Sequence, residues 1–310
     1  MNVWNIIFTT DFGFMIFRVT TPILFTALGA MISRRAGIMN ISLEGLMLVG
    51  ALFGVIGSTY SQSVIVGVAT AVLASLLFSL LFAYFVLKLK SDLILTGIAL
   101  NLMASGGTVF LLTVLCGDKG VSTSMNSLVV PSVELPLIRH IPILGDILSG
   151  HNLLTYVALL CVVLVYLLIN KSPLGLQIRS VGENPDAAES VGISVIKTRF
   201  IALVFTGILS GLGGAYMSMG YVSWFARDMA AGRGYMALSA QNLGNGTPIG
   251  TFLASFIFGI ADALSSTLQV LSLPAEFIQM IPFLTTVIGL ILYAMSRKRR
   301  AAKARGKLRT

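Results

Sequence analysis

Five polar side chains interrupt otherwise apolar stretches of the sequence, and the chemistry that they offer is hydrogen bonding. Four carry amides and one carries a carboxylate: Asn40, Glu44, Asn101, Gln241 and Asn242. An amide that is buried in apolar surroundings without a partner costs about 2–7 kcal/mol. Each of these groups must therefore either line a polar route or hydrogen-bond a neighbouring helix. Both uses are compatible with the sequence, and we predict that the five residues line a route for a polar solute.

The carboxylate is the most demanding of these groups. Glu44 lies in the segment 34–51, which opens with two arginines and is then interrupted by Ser42 and Glu44. An ionised carboxylate in hydrocarbon costs roughly 2.5 kcal/mol or more, so Glu44 should face protein, water or a counter-charge. Arg18 and the two arginines that open the segment are the nearest cations in sequence. The segment predicts either a structural ion pair or a part in the route.

The elements that must position these side chains are membrane-spanning helices. Only 11% of the 310 residues are charged and 56% are hydrophobic, whereas a soluble domain is about 25% charged. A soluble enzyme is thereby excluded. Because a span in lipid must satisfy its own backbone hydrogen bonds, the long apolar blocks are predicted to be helices. The fold class is all-α, a polytopic membrane bundle of about eight long helices plus short broken or re-entrant segments, with blocks near 14–32, 41–58, 63–87, 93–115, 153–169, 200–220, 249–271 and 277–295.

Basic residues beside the spans predict the orientation. The net charge of +9 comes mostly from the tail 297–310, which follows the last apolar block. We interpret it as a cytoplasmic tail behind a membrane domain over 1–296, in the plasma membrane. The stretch 116–150 is poor in basic residues and is predicted to be an extracytoplasmic loop. Three other places carry the cations that mark the cytoplasmic side: Arg34 with Arg35, Lys88 with Lys90, and the segment 171–199.

In the last third of the chain, the predicted orientation requires one more membrane crossing than the long apolar blocks provide. The segment 171–199 and the basic tail are both predicted to be cytoplasmic, yet only three long apolar blocks lie between them. We therefore predict a short, broken fourth segment within about 230–246, which is glycine-rich and too brief for an ordinary span. Irregular backbone at membrane depth is tolerated only where protein buries it or where it lines a cavity. This segment is therefore also a candidate for the route.

Three smaller patterns predict packing and binding. The spacing of Gly207 with Gly211, and of Gly50 with Gly54, predicts close helix contacts. Asp262 lies inside an apolar block, where it could pair with Arg18, hydrogen-bond a broken backbone or relay a proton, and we favour the structural pair. The aromatic residues that could stack on a flat ring are Phe110, Tyr221, Trp224 and Phe225, although an interfacial position explains Tyr221 and Trp224 better.

The cytoplasmic segment 171–199 has an ordered pattern. Asn184-Pro185-Asp186 predicts the start of a short helix that continues to Gly192. Its acidic side chains would face the cytoplasm. The helix is either a capped surface element or one that a partner protein holds in a groove.

Four stretches carry a resemblance to a known family. The chain resembles, over about 20–295, the permease subunits of ATP-binding-cassette importers that serve ribose, related sugars and branched-chain amino acids. The GENPDAAESVGI motif is the most specific part, and the NISLEG and RGYMALSA motifs are most similar to the nucleoside-type subgroup. The four stretches are NISLEGLMLVGA (40–51), TGIALNLMASG (96–106), GLQIRSVGENPDAAESVGISV (175–195) and RGYMALSAQNLGNGTPIGTFLASFIFG (233–259).

The resemblance implies a non-catalytic transport subunit that carries nucleosides, or alternatively a simple sugar such as ribose. It implies three protein partners: a second permease that is related but not identical, an extracytoplasmic substrate-binding lipoprotein, and an ATPase that binds the ATP and Mg²⁺. No GxxxxGK[ST] phosphate-binding loop occurs in this chain, and no cofactor, metal or nucleic acid is predicted for it. The ATPase would dock on a coupling helix formed by Gly182, Glu183, Asn184, Pro185, Asp186, Ala187, Ala188 and Gly192.

Two other classes of membrane protein fit the sequence less well. A transporter driven by an ion gradient would more often concentrate ionisable residues at the bilayer midplane. A membrane-embedded enzyme would need a cluster of His or Asp residues, which the sequence lacks. Neither class accounts for the ordered segment 182–192.

Overall fold

The molecule is a bundle of helices that run between two ends. The structure is a computed structural model that describes residues 9–134 and 144–268 and a few helical positions between 284 and 295. Within these residues, seven helices are long and apolar enough to cross a membrane. The predicted block at 277–295 lies almost wholly outside the described residues. The helices are α1 (Thr10–Arg35), α2 (Leu43–Ser61), α3 (Val64–Ala83), α4 (Leu93–Cys116), α5 (Leu144–Leu148), α6 (Leu153–Lys171), α7 (Pro173–Glu183), α8 (Pro185–Ser190), α9 (Val195–Met219), α10 (Arg233–Leu243) and α11 (Pro248–Leu268).

The all-α prediction is confirmed. The seven predicted blocks that fall in the described part of the chain each correspond to one long helix, with ends that differ by a few residues. Helix α3 continues through a π-helical turn, Tyr84–Lys88. The sequence could locate these helices because the length of an apolar block is itself the signal.

One end of the bundle gathers the cations that flank the helices, and we call it the basic end. Arg34 and Arg35 finish α1 there, and the Nε atom of Arg199, near the start of α9, donates to the carbonyl of Ala36 at 3.2 Å. The last turns of α3 reach the same region, where Ser79 Oγ donates to the carbonyl of Leu203 at 2.8 Å. Helices α1 and α3 therefore end at the basic end, and α9 begins there.

Glycine residues allow α9 to lie directly against α2 and α3. A Cβ atom at Gly211 would lie 2.8 Å from the Cα of Val72, and a Cβ atom at Gly207 would lie 2.8 Å from the Cα of Leu76. A Cβ atom at Gly50 would lie 3.1 Å from the Cα of Gly211. The predicted close helix packing is confirmed, because real Cβ atoms almost never approach other atoms within 3.0 Å, as side chains at Gly207 and Gly211 would have to do.

We expect Gly211→Val to destabilise the bundle, because the new side chain would collide with the backbone of α3. Overpacking of this kind costs about 1–3 kcal/mol or more. The measurement is the thermal unfolding temperature of the purified protein, followed by its helical circular dichroism. Gly107→Val in α4 is the matched control, because no atom lies within 4 Å of a Cβ at that position. Equal unfolding temperatures for the two variants would contradict the packing argument.

The chain returns to the basic end through a broken crossing. After α9 ends, residues 220–232 lack regular helix, and α10 has only 11 residues, a length of about 16 Å. The far end of α10 reaches the basic end, where Arg34 hydrogen-bonds Asn242 and the Nε atom of Arg35 donates to the carbonyl of Gly246 at 2.5 Å. Helix α11 then runs back beside α1. This is the short broken segment that the sequence predicts near 230–246.

The segment 171–199 contains two helices. The predicted helix is α8, where the side chain of Asn184 accepts from the N–H of Ala187 at 3.1 Å, and Gly192 follows with a φ of +86°. Helix α7 was not predicted, and it starts in the same way: the hydroxyl of Ser172 accepts from the N–H of Gly175 and Pro173 occupies the first turn. A polar capping residue followed by proline was therefore an available signal for both helices.

Candidate functional site

Helix α4 provides a measure of depth within the bundle. Ser105 lies near the midpoint of this 24-residue helix, about 18 Å from either end, and Asn101 lies one turn nearer to the basic end. The Oδ1 atom of Asn101 accepts from the N–H of Gly45 at 2.8 Å, and its Nδ2 atom donates to the carbonyl of Ile41 at 2.9 Å. Helix α2 therefore begins deep in the bundle, and the irregular residues 36–42 lead to it from the basic end.

The side chain of Asn101 supplies a hydrogen-bond acceptor for the first turn of α2. The first N–H groups of a helix have no partner within that helix, and here the Asn101 amide satisfies one of them. A side chain at Gly45 would lie 3.0 Å from Asn101 Oδ1 and 2.9 Å from the Cβ of Ala104, so a glycine is needed for the contact. The predicted site residue Asn101 thus anchors a helix start at membrane depth.

The carboxylate of Glu44 joins the two broken segments. Its Oε1 atom accepts from the N–H of Gly232 and its Oε2 atom accepts from the N–H of Gly234, both at 2.7 Å. These N–H groups belong to the start of α10, where the helix dipole favours a negative charge. The partner of Glu44 is therefore a helix N-terminus, and the suggested counter-charges Arg18, Arg34 and Arg35 are wrong.

A buried ion pair adjoins this contact. The Nη2 and Nε atoms of Arg233 lie 3.0 and 3.1 Å from the Oδ2 atom of Asp262, and the two side chains are 16% and 12% exposed. The predicted pairing of Asp262 with Arg18 is wrong, although the prediction of a structural ion pair is correct in kind. Arg18 instead lies over the ring of Tyr221 at 4.2 Å. The pair ties α10 to α11.

The other predicted amides lie at two places. Asn40 is buried at the start of α2, where its Oδ1 atom accepts from the N–H and the hydroxyl of Ser42. Gln241 is fully buried near the far end of α10 and donates to Asn242 Oδ1 at 3.0 Å. Within the described residues, Asn40 Nδ2 and Gln241 Oε1 have no hydrogen-bond partner. The structure thus brings Asn40, Glu44 and Asn101 together, and places Gln241 and Asn242 toward the basic end.

A polar face that sequence reasoning missed lies outward from this cluster. Ser105 Oγ donates to Asp228 Oδ1 at 2.7 Å, and the Nε atom of Arg227 donates to Asp228 Oδ2 at 3.3 Å. The Arg227 and Asp228 side chains are 63% and 51% exposed. Tyr235 is 43% exposed, and its hydroxyl accepts from Asn101 Nδ2 at 3.1 Å. We call Ser105, Arg227, Asp228 and Tyr235 the polar wall.

The depth of the polar wall within the bundle determines whether it can face lipid. A charged side chain exposed to lipid at the bilayer centre costs roughly 2.5–3.5 kcal/mol or more. Asp228 is held at the midpoint of α4, so this surface is suited to water or to another subunit and not to lipid. The adjacent charges of Arg227-Asp228 beside a glycine-rich broken segment were the available sequence signal.

The aromatic side chains that the sequence proposes for stacking differ in their exposure. Phe225 is fully buried, so it presents no face to a solute in this conformation. Phe110 is 66% exposed and Trp224 is 39% exposed. No group of three or more potential metal ligands occurs within the described residues. The described site offers hydrogen bonds, one exposed charge pair and ring faces.

Comparison with known proteins identifies the family. A family model described as the permease component of branched-chain amino acid transport systems matches residues 13–290. The chain belongs to this permease family. The permease is 33% identical to the nucleoside ABC transporter permease NupC of Lactococcus lactis, with 94% of each chain covered. It is also 33% identical to the guanosine ABC transporter permease NupQ of Bacillus subtilis, with 87% of each chain covered.

Other relatives widen the range of named solutes. A putative glucose ABC transporter permease of Haloferax volcanii is 30% identical, with 84% of this chain and 78% of the relative covered. Lactococcus lactis and Bacillus subtilis each have a second relative of this permease, named NupB and NupP. No solved structure matches the chain. The family assignment and the seven long helices establish a multi-pass membrane permease of the ABC type.

Proposed function

We propose that the permease is one of two non-identical membrane subunits of an ATP-driven importer for nucleosides. Two relatives that match nearly its whole length are named for nucleosides or guanosine. The occurrence of two permease relatives in one organism supports a paired assembly. The positive-inside rule supports a cytoplasmic position for the basic end, and with it for the basic tail 297–310.

The polar wall is the observation that carries the proposed route. A nucleoside is neutral and polar and has a flat aromatic base, so its route needs hydrogen-bonding groups and ring faces with few fixed charges. The wall offers the Ser105 and Tyr235 hydroxyls at mid-depth, with Phe110 farther along α4. The second permease would supply the opposite side of the route.

The predicted route residues have a defined part in this proposal. Asn101 and Glu44 hold the starts of α2 and α10, which stand behind the polar wall. Asn40 holds the irregular backbone before α2 at Ser42, and Gln241 and Asn242 connect the far end of α10 to Arg34 of α1. These residues would support transport by holding α2 and α10 in a fixed relative position.

The helix α8 is the proposed contact with an ATPase subunit. Its outward residues Asp186, Ala187 and Glu189 are exposed at the basic end, whereas Ala188 is buried against the bundle. A short rigid helix seated in a cleft of the ATPase would move as a body when ATP closes the ATPase pair. ATP and Mg²⁺ would be bound by that partner, and a lipoprotein would deliver the solute at the opposite end.

The deciding experiment is uptake of labelled guanosine, adenosine, uridine, ribose and glucose in cells with and without the permease. One arm depletes ATP and another collapses the ion gradients. We expect nucleoside uptake that needs the permease and ATP. Uptake of ribose or glucose alone would keep the importer mechanism and reject the nucleoside assignment. Uptake that follows the ion gradients would reject the mechanism.

We expect Asn101→Leu to reduce nucleoside uptake by at least about tenfold while the protein still inserts. The substitution removes three hydrogen bonds and leaves the N–H of Gly45 and the carbonyl of Ile41 unpaired, at about 1–3 kcal/mol for each orphaned group. Thr108→Val is the matched control, because this buried threonine donates only within α4. Normal uptake by Asn101→Leu would remove Asn101 from the proposed machinery.

A cysteine introduced at Gly106, which is exposed next to Ser105 on α4, tests whether the surface beside the polar wall faces water. A thiol must ionise in water to react with a membrane-impermeant thiosulfonate. In a chain with Cys116 and Cys161 replaced by alanine, we expect Gly106→Cys to react about tenfold faster than Leu164→Cys, which is exposed midway along α6. The measurement uses the assembled transporter in membranes. Equal rates would show that this face of α4 meets lipid or a dry interface.

A further inference from the structure

A small cavity lies at the basic end, away from the polar wall. It has a volume of about 190 Å³ and lies between the end of α1, the helix α7 and the turn that follows α10. Arg34 and Arg35 approach it from α1, Arg179 and Glu183 from α7, and Asn242 and Gly246 from the last part of α10 and the turn. Three segments that are distant in sequence therefore converge on one space.

The charges around this cavity are unbalanced. Three half-buried guanidinium groups line it, and Glu183 is the one acidic side chain that does so. Among the described residues, no carboxylate lies within ion-pair distance of these three arginines. Partly enclosed clefts that carry one sign of charge concentrate the field and attract counter-ions. The cavity is therefore suited to an anion.

Within the described residues, the protein uses only part of the hydrogen-bonding capacity of the three arginines. Each guanidinium has five N–H donors. Arg34 bonds the Asn242 amide, Arg35 donates from Nε to the carbonyl of Gly246, and Arg179 donates from Nε to the carbonyl of Gly175 at 3.4 Å. These contacts hold the side chains in place and leave further N–H groups for a ligand.

The size of the cavity limits the ligand. Its volume equals that of about six water molecules, and it is smaller than the roughly 300–1,000 Å³ of pockets that hold drug-sized molecules. It would not enclose a whole nucleoside. A tetrahedral anion fits, and planar guanidinium groups bind phosphate oxygens in pairs.

We propose that this arginine cavity binds a phosphate group and thereby fastens α7 to α1 and to the turn after α10. The phosphate belongs either to the headgroup of an anionic phospholipid or to a small phosphate compound in solution, since the cavity lies where the membrane-spanning helices end. Arg179 is four residues before Glu183, and α8 follows directly. A bound phosphate thus stabilises α7, the helix that directly precedes α8. Binding itself does not depend on the transported solute.

The binding test uses the assembled transporter in nanodiscs of neutral phosphatidylcholine. Sodium phosphate is titrated against sodium chloride of equal ionic strength, and the thermal unfolding temperature of the complex is measured. A second arm replaces part of the phosphatidylcholine with phosphatidylglycerol and adds no phosphate. We expect a saturable rise in the unfolding temperature in at least one arm. A rise with phosphate alone assigns the site to a soluble phosphate compound, and a rise with phosphatidylglycerol alone assigns it to lipid.

Variants decide whether the arginine cavity is responsible. Arg179→Gln should weaken the response at least tenfold, and Arg179→Lys should retain part of it because the charge is kept. Lys197→Gln removes an exposed charge at the same end and should respond like the unaltered protein. If Arg179→Gln does not assemble, the comparison of Arg179→Lys with Lys197→Gln decides. No rise in either arm, or the same response in the Arg179 and Lys197 variants, would overturn the proposal.

Discussion

Arg233→Leu will strongly destabilise the broken crossing of the permease, because Arg233 pairs with the buried Asp262. The change leaves Asp262 without its cation, with that side chain only 12% exposed. Removing one partner of a buried ion pair costs about 3–5 kcal/mol, because the remaining charge stays buried and uncompensated. We expect a large fall in the amount of protein that survives solubilisation, measured by size-exclusion chromatography, and a large fall in unfolding temperature.

The double variant Arg233→Leu/Asp262→Leu separates the ion pair from the packing around it. Replacement of both partners by apolar side chains is often neutral or stabilising, so we expect the double variant to recover most of the lost stability. It should still transport poorly if the pair also sets the position of α10 behind the polar wall. A double variant as unstable as Arg233→Leu alone would show that the loss does not come from the orphaned charge.

The parts of the fold that the sequence predicts are those with local signals. Apolar blocks gave the long helices, because the thickness of the bilayer sets their length. The Asn184-Pro185 pair gave the start of α8, since its capping bond spans only three residues. The broken crossing near 230–246 followed from charge and the parity of crossings, without any information on its contacts. Each inference needed only residues that are close in the sequence, or a count of the predicted membrane crossings.

The contacts of the candidate site are of a different kind. Glu44 binds the N–H of Gly232, which is 188 residues away in sequence, and any residue type except proline could supply that donor. The sequence therefore showed that Glu44 needs a partner but not which one. Arg18 is a possible cation partner for Asp262 in the sequence, whereas the fold places Arg233 of α10 beside it. Side-chain chemistry was predictable, and the pairing across broken helices was not.

The polar wall illustrates the same limit. The sequence shows Arg227 and Asp228 as adjacent charges beside a glycine-rich segment but does not indicate their depth, because the loop has no apolar pattern. Only the contact between Asp228 and Ser105 places them at the midpoint of α4. Exposure at that depth is a property of the folded chain. A functional reading of these residues needed the structure.

The proposed contact of α8 with an ATPase leads to the second large expected effect. Ala187→Trp should reduce ATP-dependent uptake by at least about thirtyfold, which corresponds to about 2 kcal/mol at a well-packed interface. Ala187 is exposed in this chain, so an indole there does not disturb the bundle and instead enlarges the surface that would enter the ATPase. Ala187→Ser, which barely changes that surface, is the matched control and should transport normally.

Two measurements distinguish how Ala187→Trp acts. If the indole prevents docking, the ATPase will no longer copurify with the permease pair. If docking survives but the helix is seated wrongly, the ATPase will copurify and hydrolyse ATP without solute uptake. Either result would support a contact at α8, because a capped six-residue helix would transmit motion only while it is seated in a cleft of the ATPase. Normal copurification together with normal uptake would place the ATPase contact elsewhere on the basic end.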